Sequence, residues 1–275
     1  MKKVIIMDVD GTLLNSYKKI PEKTKAELLR VQKEGALLVL ASGRPVSGLA
    51  DLAKELEMDK NQGLLVAFNG SKVVNCQTGE TMFDETIPVE DGQAVLEHMK
   101  KFDVRPMINK DEYMYVNDVF NNRVHIYGDE VNIIQYESRG GKFKLCEMSD
   151  LAEFADYPLN KILTAGEPEY LRAHYTEMME PFQGELSAMF TAPVYFEFTA
   201  KGIDKAKALD YVLTSLGYET DDMIAFGDGE NDCSMVAYAG TGVAMGNAVD
   251  ALKNVADEIT LSNEEDGIAQ VLKRL

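Results

Sequence analysis

Short apolar runs alternate with amphipathic stretches near the start of the chain. Val4–Met7 and residues 36–41 are continuous apolar runs of strand length, which predicts buried strands. Between them, residues 21–34 carry apolar Ala26, Leu29 and Val31 at helical spacing, with Pro21 at the start and Gly35 as a stop. Residues 46–57 predict a second helix and 64–68 a third strand, which Asn69-Gly70 turns into a short hairpin through Val73-Val74. Strand, helix, strand, helix, strand with short connections is the rhythm of a parallel sheet covered by helices.

The texture changes from about residue 84 to about residue 192, where segments are longer and more polar. A helix is predicted at 89–101, a strand pair at 104–109 and 112–116, a strand at 162–165 and a helix at 168–180. Few apolar runs here suit a central parallel strand, so 84–192 reads as an insertion that folds as its own α+β unit. The first rhythm then returns: strand 194–199, helix 203–216 closed by Gly217, and strand 223–226 running into Gly227-Asp228-Gly229. Helix 230–238, strand 242–245, helix 248–255, strand 259–261 and helix 267–275 complete it. The fold class expected is α/β: a doubly wound parallel sheet from 1–83 and 193–275, with an inserted α+β domain at 84–192.

Composition narrows the function. At 275 residues and 45% apolar content, the chain suits one large or two ordinary globular domains. Its longest apolar runs, such as 36–41, fall far short of the ~20 residues of a membrane helix. The opening has two lysines and then Val4–Met7 before Asp8, too short for the apolar region of a signal peptide. Cys76, Cys146 and Cys233 have no metal-like spacing and read as reduced cysteines, so a cytoplasmic location is expected. The sequon Asn69-Gly70-Ser71 is set aside with the export signal. A net charge of −18 makes nucleic acid a poor partner. It would also repel an anionic substrate, so a site for one must carry local positive charge from a metal, Lys or Arg.

Ligands of open α/β sheets bind beyond the carboxyl ends of the strands. The polar residues there are Asp8 and Asp10 after the first strand, Ser42 and Arg44 after the second, and Asp228, Asn231 and Asp232 after strand 223–226. Several carboxylates at one rim raise one another's pKa values unless a cation sits among them. All-oxygen donors with open positions suit Mg²⁺. His98, His125 and His174 all fall in the insertion, which argues against zinc. Such a rim handles phosphate. Asp8 is the candidate nucleophile and metal ligand, forming an aspartyl-phosphate. Asp10, read as pointing the same way from an extended segment, is the candidate general acid and base. Lys205 is the candidate cation bridging nucleophile and phosphate.

Four stretches carry a resemblance: D-V-D-G-T at 8–12, A-S-G-R at 41–44, K-G-I-D-K at 201–205 and G-D-G-E-N-D at 227–232. In this order they resemble the motifs of the haloacid dehalogenase-like superfamily, and more narrowly its Cof-type sugar phosphatases. F-N-G at 68–70, G-V-A-M-G-N-A at 242–248 and E-D-G at 265–267 support the likeness. The insertion matches by place and size the family's C2-type cap, which implies a unit that closes over the core and selects the leaving group. The resemblance implies that Ser42 and the Gly43 amide bind phosphate together with Lys205 and Asn231. It implies Mg²⁺ on Asp8, Asp228 and the Asp10 backbone carbonyl, with Asp232 beyond the direct ligands. Dehalogenase members lack the second acid, so Asp10 favours phosphate chemistry. One departure is Ala206, where the subfamily usually has Gly after the lysine.

Simpler readings compete at several positions. Arg44 reads as a partner for a neighbouring acid before it reads as a substrate contact. G-T-G-V-A-M-G at 240–246 lacks the third glycine and the ribose-binding acid of a dinucleotide loop. Cys233 has acidic neighbours, which disfavour a thiolate. Residues 264–266 read as the acidic first turn of a helix. Tyr113, Tyr115, Arg123, His125 and Tyr127 suit a sugar-bearing leaving group, but their spacing suits packing equally well. The expected function is a Mg²⁺-dependent phosphatase of small phosphoesters, with a phosphomutase and a slow phospho-aspartate sensor as alternatives. No interface stripe separates monomer from dimer.

Overall fold

Val4–Met7 lies inside an eight-stranded sheet of the described residues. The strand order is Glu258–Ile259, Thr241–Ala244, Met223–Gly227, Val4–Met7, Leu37–Ala41, Leu64–Ala67, Lys72–Asn75 and Thr81–Asp84. The computed structural model describes residues 2–120, 122–126 and 128–275. The first six strands run parallel and the last two return as antiparallel hairpins. Alternate side chains of each strand enter opposite cores, as a pleat of period two requires. Ile5, Met7, Leu38, Leu40 and Phe226 pack with Leu28 and Val31 of helix Glu22–Lys33, Leu49 of Val46–Glu55 and Ile268 of Gly267–Leu272. Val4, Ile6, Val39 and Ala225 pack with Leu209 and Val212 of helix Lys205–Ser215, Val236 of Cys233–Tyr238 and Leu252 of Asp250–Lys253. Burial on both faces explains the continuous apolar runs. Each fully buried aliphatic side chain contributes about 1.5–3 kcal/mol. The sheet is doubly wound, as the pattern predicted.

Register sets up the chemistry. Met7 is level with Leu40 on one side and Phe226 on the other. Asp8, Ser42 and Asp228 therefore all emerge at the same carboxyl edge.

This sheet belongs to a unit made of Met1–Asp84 and Asp204–Leu275; Glu85–Ile203 forms a second unit. The second unit has a mixed sheet in the order Lys144–Glu147, Tyr113–Val116, Arg105–Lys110, Ile162–Ala165, Tyr195–Ala200, Leu186–Ala192. Leu96, Leu171, Phe196 and Phe198 belong to one of its apolar clusters, Val124, Ile133, Leu163 and Tyr195 to another. It is an α+β fold. One expectation is corrected here. The strand expected at 194–199 does not return to the first sheet. As Tyr195–Ala200 it pairs antiparallel with Ile162–Ala165 and with Leu186–Ala192. The second unit thus runs on to Ile203 instead of ending at 192. All six residues of this strand are buried, so its apolarity matches that of a core parallel strand and does not say which sheet it joins.

Candidate active site

Asp8 follows its strand directly, and its backbone N–H donates to the Phe226 carbonyl at 3.0 Å. Its carboxylate is buried, and Oδ1 accepts from Lys205 Nζ at 2.7 Å. Lys205 opens a helix whose cap is Asp204, which accepts from the Lys207 N–H at 2.8 Å. Ala206 sits inside that capped first turn, so its side chain does not disturb the helix start. Lys205 is 0% exposed, and Nζ also donates to Asp232 Oδ1 at 2.6 Å. Asp232 Oδ2 accepts the backbone N–H groups of Asp228 and Gly229, both at 3.0 Å. This fastens the turn that carries Asp228, whose Oδ1 accepts from Thr12 Oγ1 at 2.8 Å. Ligand oxygens of Asp8, Asp228 and Asp232 lie within 4.8 Å of one another.

Three carboxylates around one ammonium leave a surplus of negative charge. Burial, then Asp232 and Asp228, push the Asp8 carboxyl well above the ordinary range against the pull of Lys205. Burial, with Asp232, raises Asp228 to about 6 although the Thr12 hydrogen bond opposes it. Burial alone would lower the Lys205 ammonium, but Asp232 and Asp8 outweigh it and the net shift is upward. An all-oxygen cluster with surplus charge and raised pKa values fits a hard divalent cation.

The segment after Asp8 is a turn, not the extended stretch expected. Leu13 N–H donates to the Asp8 carbonyl at 3.3 Å and Leu14 N–H to that of Val9 at 2.9 Å. Gly11 stands at φ +85°, and a Cβ there would lie 2.3 Å from Asp228 Oδ2. Asn247 Nδ2 secures the Gly11 carbonyl at 2.8 Å. Because of this turn, Asp10 does not share the partners of Asp8. Its two oxygens meet Arg44 Nε and Nη2, each at 2.7 Å, and Oδ1 also meets Lys18 Nζ at 2.7 Å. Burial would raise the Asp10 pKa, but Arg44 and Lys18 prevail and hold it below the usual carboxylate value. Arg44 is thus an acid's partner, the simpler of its two readings.

Ser42 is buried, with its N–H on the Val66 carbonyl at 2.9 Å and its Oγ accepting from Arg44 N–H at 3.2 Å. Asn231 Nδ2 donates to Asn69 Oδ1 at 3.1 Å. Asp8, Lys205, Asp228 and Asp232 are thus joined directly; Asn231 reaches Asn69, while Asp10 is held by Arg44 and Lys18. Thr12, Lys18, Asn69 and Asn247 were not singled out from the sequence as site residues. Thr12, Asn69 and Asn247 sit inside quoted motifs, which was a usable signal; Lys18 carried none.

The other candidates have partners or close neighbours of their own. Burial, Asp232 and Glu230 hold the Cys233 thiol above its usual value. Gly240 and Gly242 allow close backbone approach, since a Cβ would fall 2.6 Å from the Thr220 carbonyl and 2.2 Å from that of Val236. In the second unit Arg123 pairs with Glu130, His125 meets Glu167, and the Tyr115 ring lies tilted against that of Phe154. Tyr127 lies outside the described residues.

Known proteins resemble this chain along its length. The family described as haloacid dehalogenase-like hydrolase matches residues 5–272. A crystal structure of a haloacid dehalogenase-like hydrolase from Bacteroides thetaiotaomicron is 33% identical, with a TM-score of 0.88, covering 99% of this chain and 98% of that one. The 5-amino-6-(5-phospho-D-ribitylamino)uracil phosphatase YitU of Bacillus subtilis is 27% identical, over 98% of this chain and 96% of its own. Phosphatase YwpJ of the same organism is 26% identical, over 99% of each chain. Among the described residues no helix is long and apolar enough to cross a membrane.

Proposed function

The chain belongs to the haloacid dehalogenase-like hydrolases and is a phosphatase, a phosphoric monoester hydrolase, of that family; from this premise we propose that it hydrolyses small phosphoesters, sugar phosphates foremost, through an aspartyl-phosphate on Asp8. The observation that carries the reading is the buried Asp8–Lys205–Asp232 array, with Asp228 beside it, at the carboxyl edge of the sheet. Asp8, Asp228 and the Asp10 carbonyl would hold Mg²⁺. When bound, the ion offsets the repulsion between carboxylates and phosphate and keeps Asp8 ionised.

One Asp8 oxygen attacks phosphorus while the bond to the ester oxygen breaks. Lys205 holds Asp8 in place and lends positive charge to the transferring group. Ser42, the Gly43 amide and Asn231 bind the phosphate oxygens. Asp10 gives a proton to the leaving oxygen, then takes one from the water that attacks phosphorus. That attack breaks the acyl-phosphate bond and releases inorganic phosphate. The Arg44 and Lys18 contacts keep Asp10 ionised, which suits the base half; the acid half requires it to leave them and take up a proton. Residues 85–203, in the place of the family's cap, select the leaving group.

Phosphate release from a panel of small phosphoesters tests this, with Mg²⁺ and with chelator, for wild type and Asp8→Asn. Chelator-sensitive turnover that the substitution abolishes is expected. Full activity in Asp8→Asn would refute the mechanism, and an isomeric ester without free phosphate would indicate a mutase.

A further inference from the structure

The F-N-G turn at 68–70 has an unusual backbone. Phe68, Asn69 and Gly70 stand at φ +52°, +53° and +105° in succession. Phe68 is bulky and apolar, and such a residue seldom adopts this left-handed region. Strain of this kind persists only where the surroundings over-determine it, and it gathers at functional sites. Here the surroundings are three phosphate-handling segments. The N–H of Phe68 donates to the Arg44 carbonyl and that of Asn69 to the Ser42 carbonyl, both at 3.0 Å. Gly70 lies so close to the next segment that a Cβ would fall 2.1 Å from the Asp204 carbonyl, one residue before Lys205. The Asn69 side chain is 1% exposed. Its Oδ1 accepts from Asn231 Nδ2 at 3.1 Å, and a Cβ on Gly43 would lie 3.0 Å from its Nδ2.

We infer that Asn69 is a positioning residue that sets the phosphate-binding wall, fixing the Asn231 amide against the Ser42–Gly43 turn. The inference rests on the proposed phosphatase reading and adds a residue to it. The Asn69 side chain accepts from Asn231 while its backbone N–H donates to Ser42 and its amide packs close over Gly43, so one residue gives two segments, distant in sequence, a common reference.

Two substitutions separate this role from a backbone role. Asn69→Gly removes the amide and accepts φ +53° without strain, whereas Asn69→Ala removes the amide and keeps the strain. Inorganic phosphate binding, read by calorimetry and by competitive inhibition with Mg²⁺ present, should weaken about tenfold in both. KM should rise with it, more than kcat falls. The melting temperature should fall in Asn69→Ala only. Unchanged phosphate affinity in Asn69→Gly would overturn the inference, as would weakening that follows the melting temperature. A wild type that binds phosphate but hydrolyses no ester would refute the proposed function and leave this measurement intact.

Discussion

Lys205→Met places an apolar side chain of similar length where an ammonium now touches two carboxylates. The oxygens of Asp8 and Asp232 lie 2.7 and 2.6 Å from Nζ, and all three side chains are buried. The variant has two ways to respond at pH 7. If both carboxylates stay charged, breaking a buried pair costs about 3–5 kcal/mol. If one takes up a proton instead, a carboxyl of ordinary pKa near 4 is neutralised three pH units away, at ~1.4 kcal/mol per unit, or ~4 kcal/mol. Both routes give about 4 kcal/mol. Acid distinguishes this cause from a packing defect. Asp8 and Asp228 are already raised in the wild type, and without the ammonium the carboxyls rise further, so the variant's native state binds more protons than the wild type's and gains more stability as pH falls. The lysine shift does not enter, because its folded pKa is raised and both states are protonated far below it. The gap between wild type and variant should therefore narrow from pH 7 to pH 5. The assay is hydrogen exchange of the Val4–Met7 amides in chelator, which reports on this unit even if the other unfolds separately. A loss below about 1 kcal/mol at pH 7, or a gap that widens on acidification, would refute the reasoning.

The same electrostatics reach the metal. The Asp8 and Asp228 carboxyls are shifted upward, Asp228 to about 6, so Mg²⁺ competes with protons for them and its affinity should rise from pH 5 to 7. Calorimetry in two buffers of different ionisation enthalpy reads the released protons; a pH-independent affinity would count against the cluster as the ion's site. Gly11→Ala combines φ +85° with a Cβ 2.3 Å from Asp228 Oδ2, so Asp228 must shift. Its Mg²⁺ affinity should fall by about tenfold or more in a direct titration, and an unchanged isotherm would contradict this geometry. Arg44→Met removes the two-point partner of Asp10, whose pKa should move up toward the ordinary carboxylate value. Carboxyl carbon resonances followed against pH would show it, and an unmoved Asp10 would mean the pairing does not persist in solution.

Much of the first sheet was legible because its strands are buried on both faces and read as unbroken apolar runs. Val4–Met7 and Met223–Gly227 are fully buried throughout. The same property misled at Tyr195–Ala200, which is just as buried but lies inside the other sheet. The hairpin Arg123–Ile126 with Asp129–Asn132, and strands Thr81–Asp84 and Lys144–Glu147, escaped detection because each has four residues and is partly exposed, too short for a period of two to stand out.

The sequence by itself determined which polar residues follow the strands of a parallel sheet. Strand ends are local features, and parallel strands in register bring their carboxyl ends to one edge wherever those strands lie in the chain. That was enough to gather Asp8, Ser42 and Asp228, and to give Lys205 a reason to exist among surplus acids. Tertiary structure alone decided who touches whom. Whether Asp10 faces the acidic cluster or Arg44 depends on one left-handed glycine and the turn it permits. The partners of Asn69 depend on three segments far apart in sequence meeting at one buried amide. Side-chain pairing inside a site is set by distances of tenths of an ångström between such segments, and no periodicity along the chain encodes them.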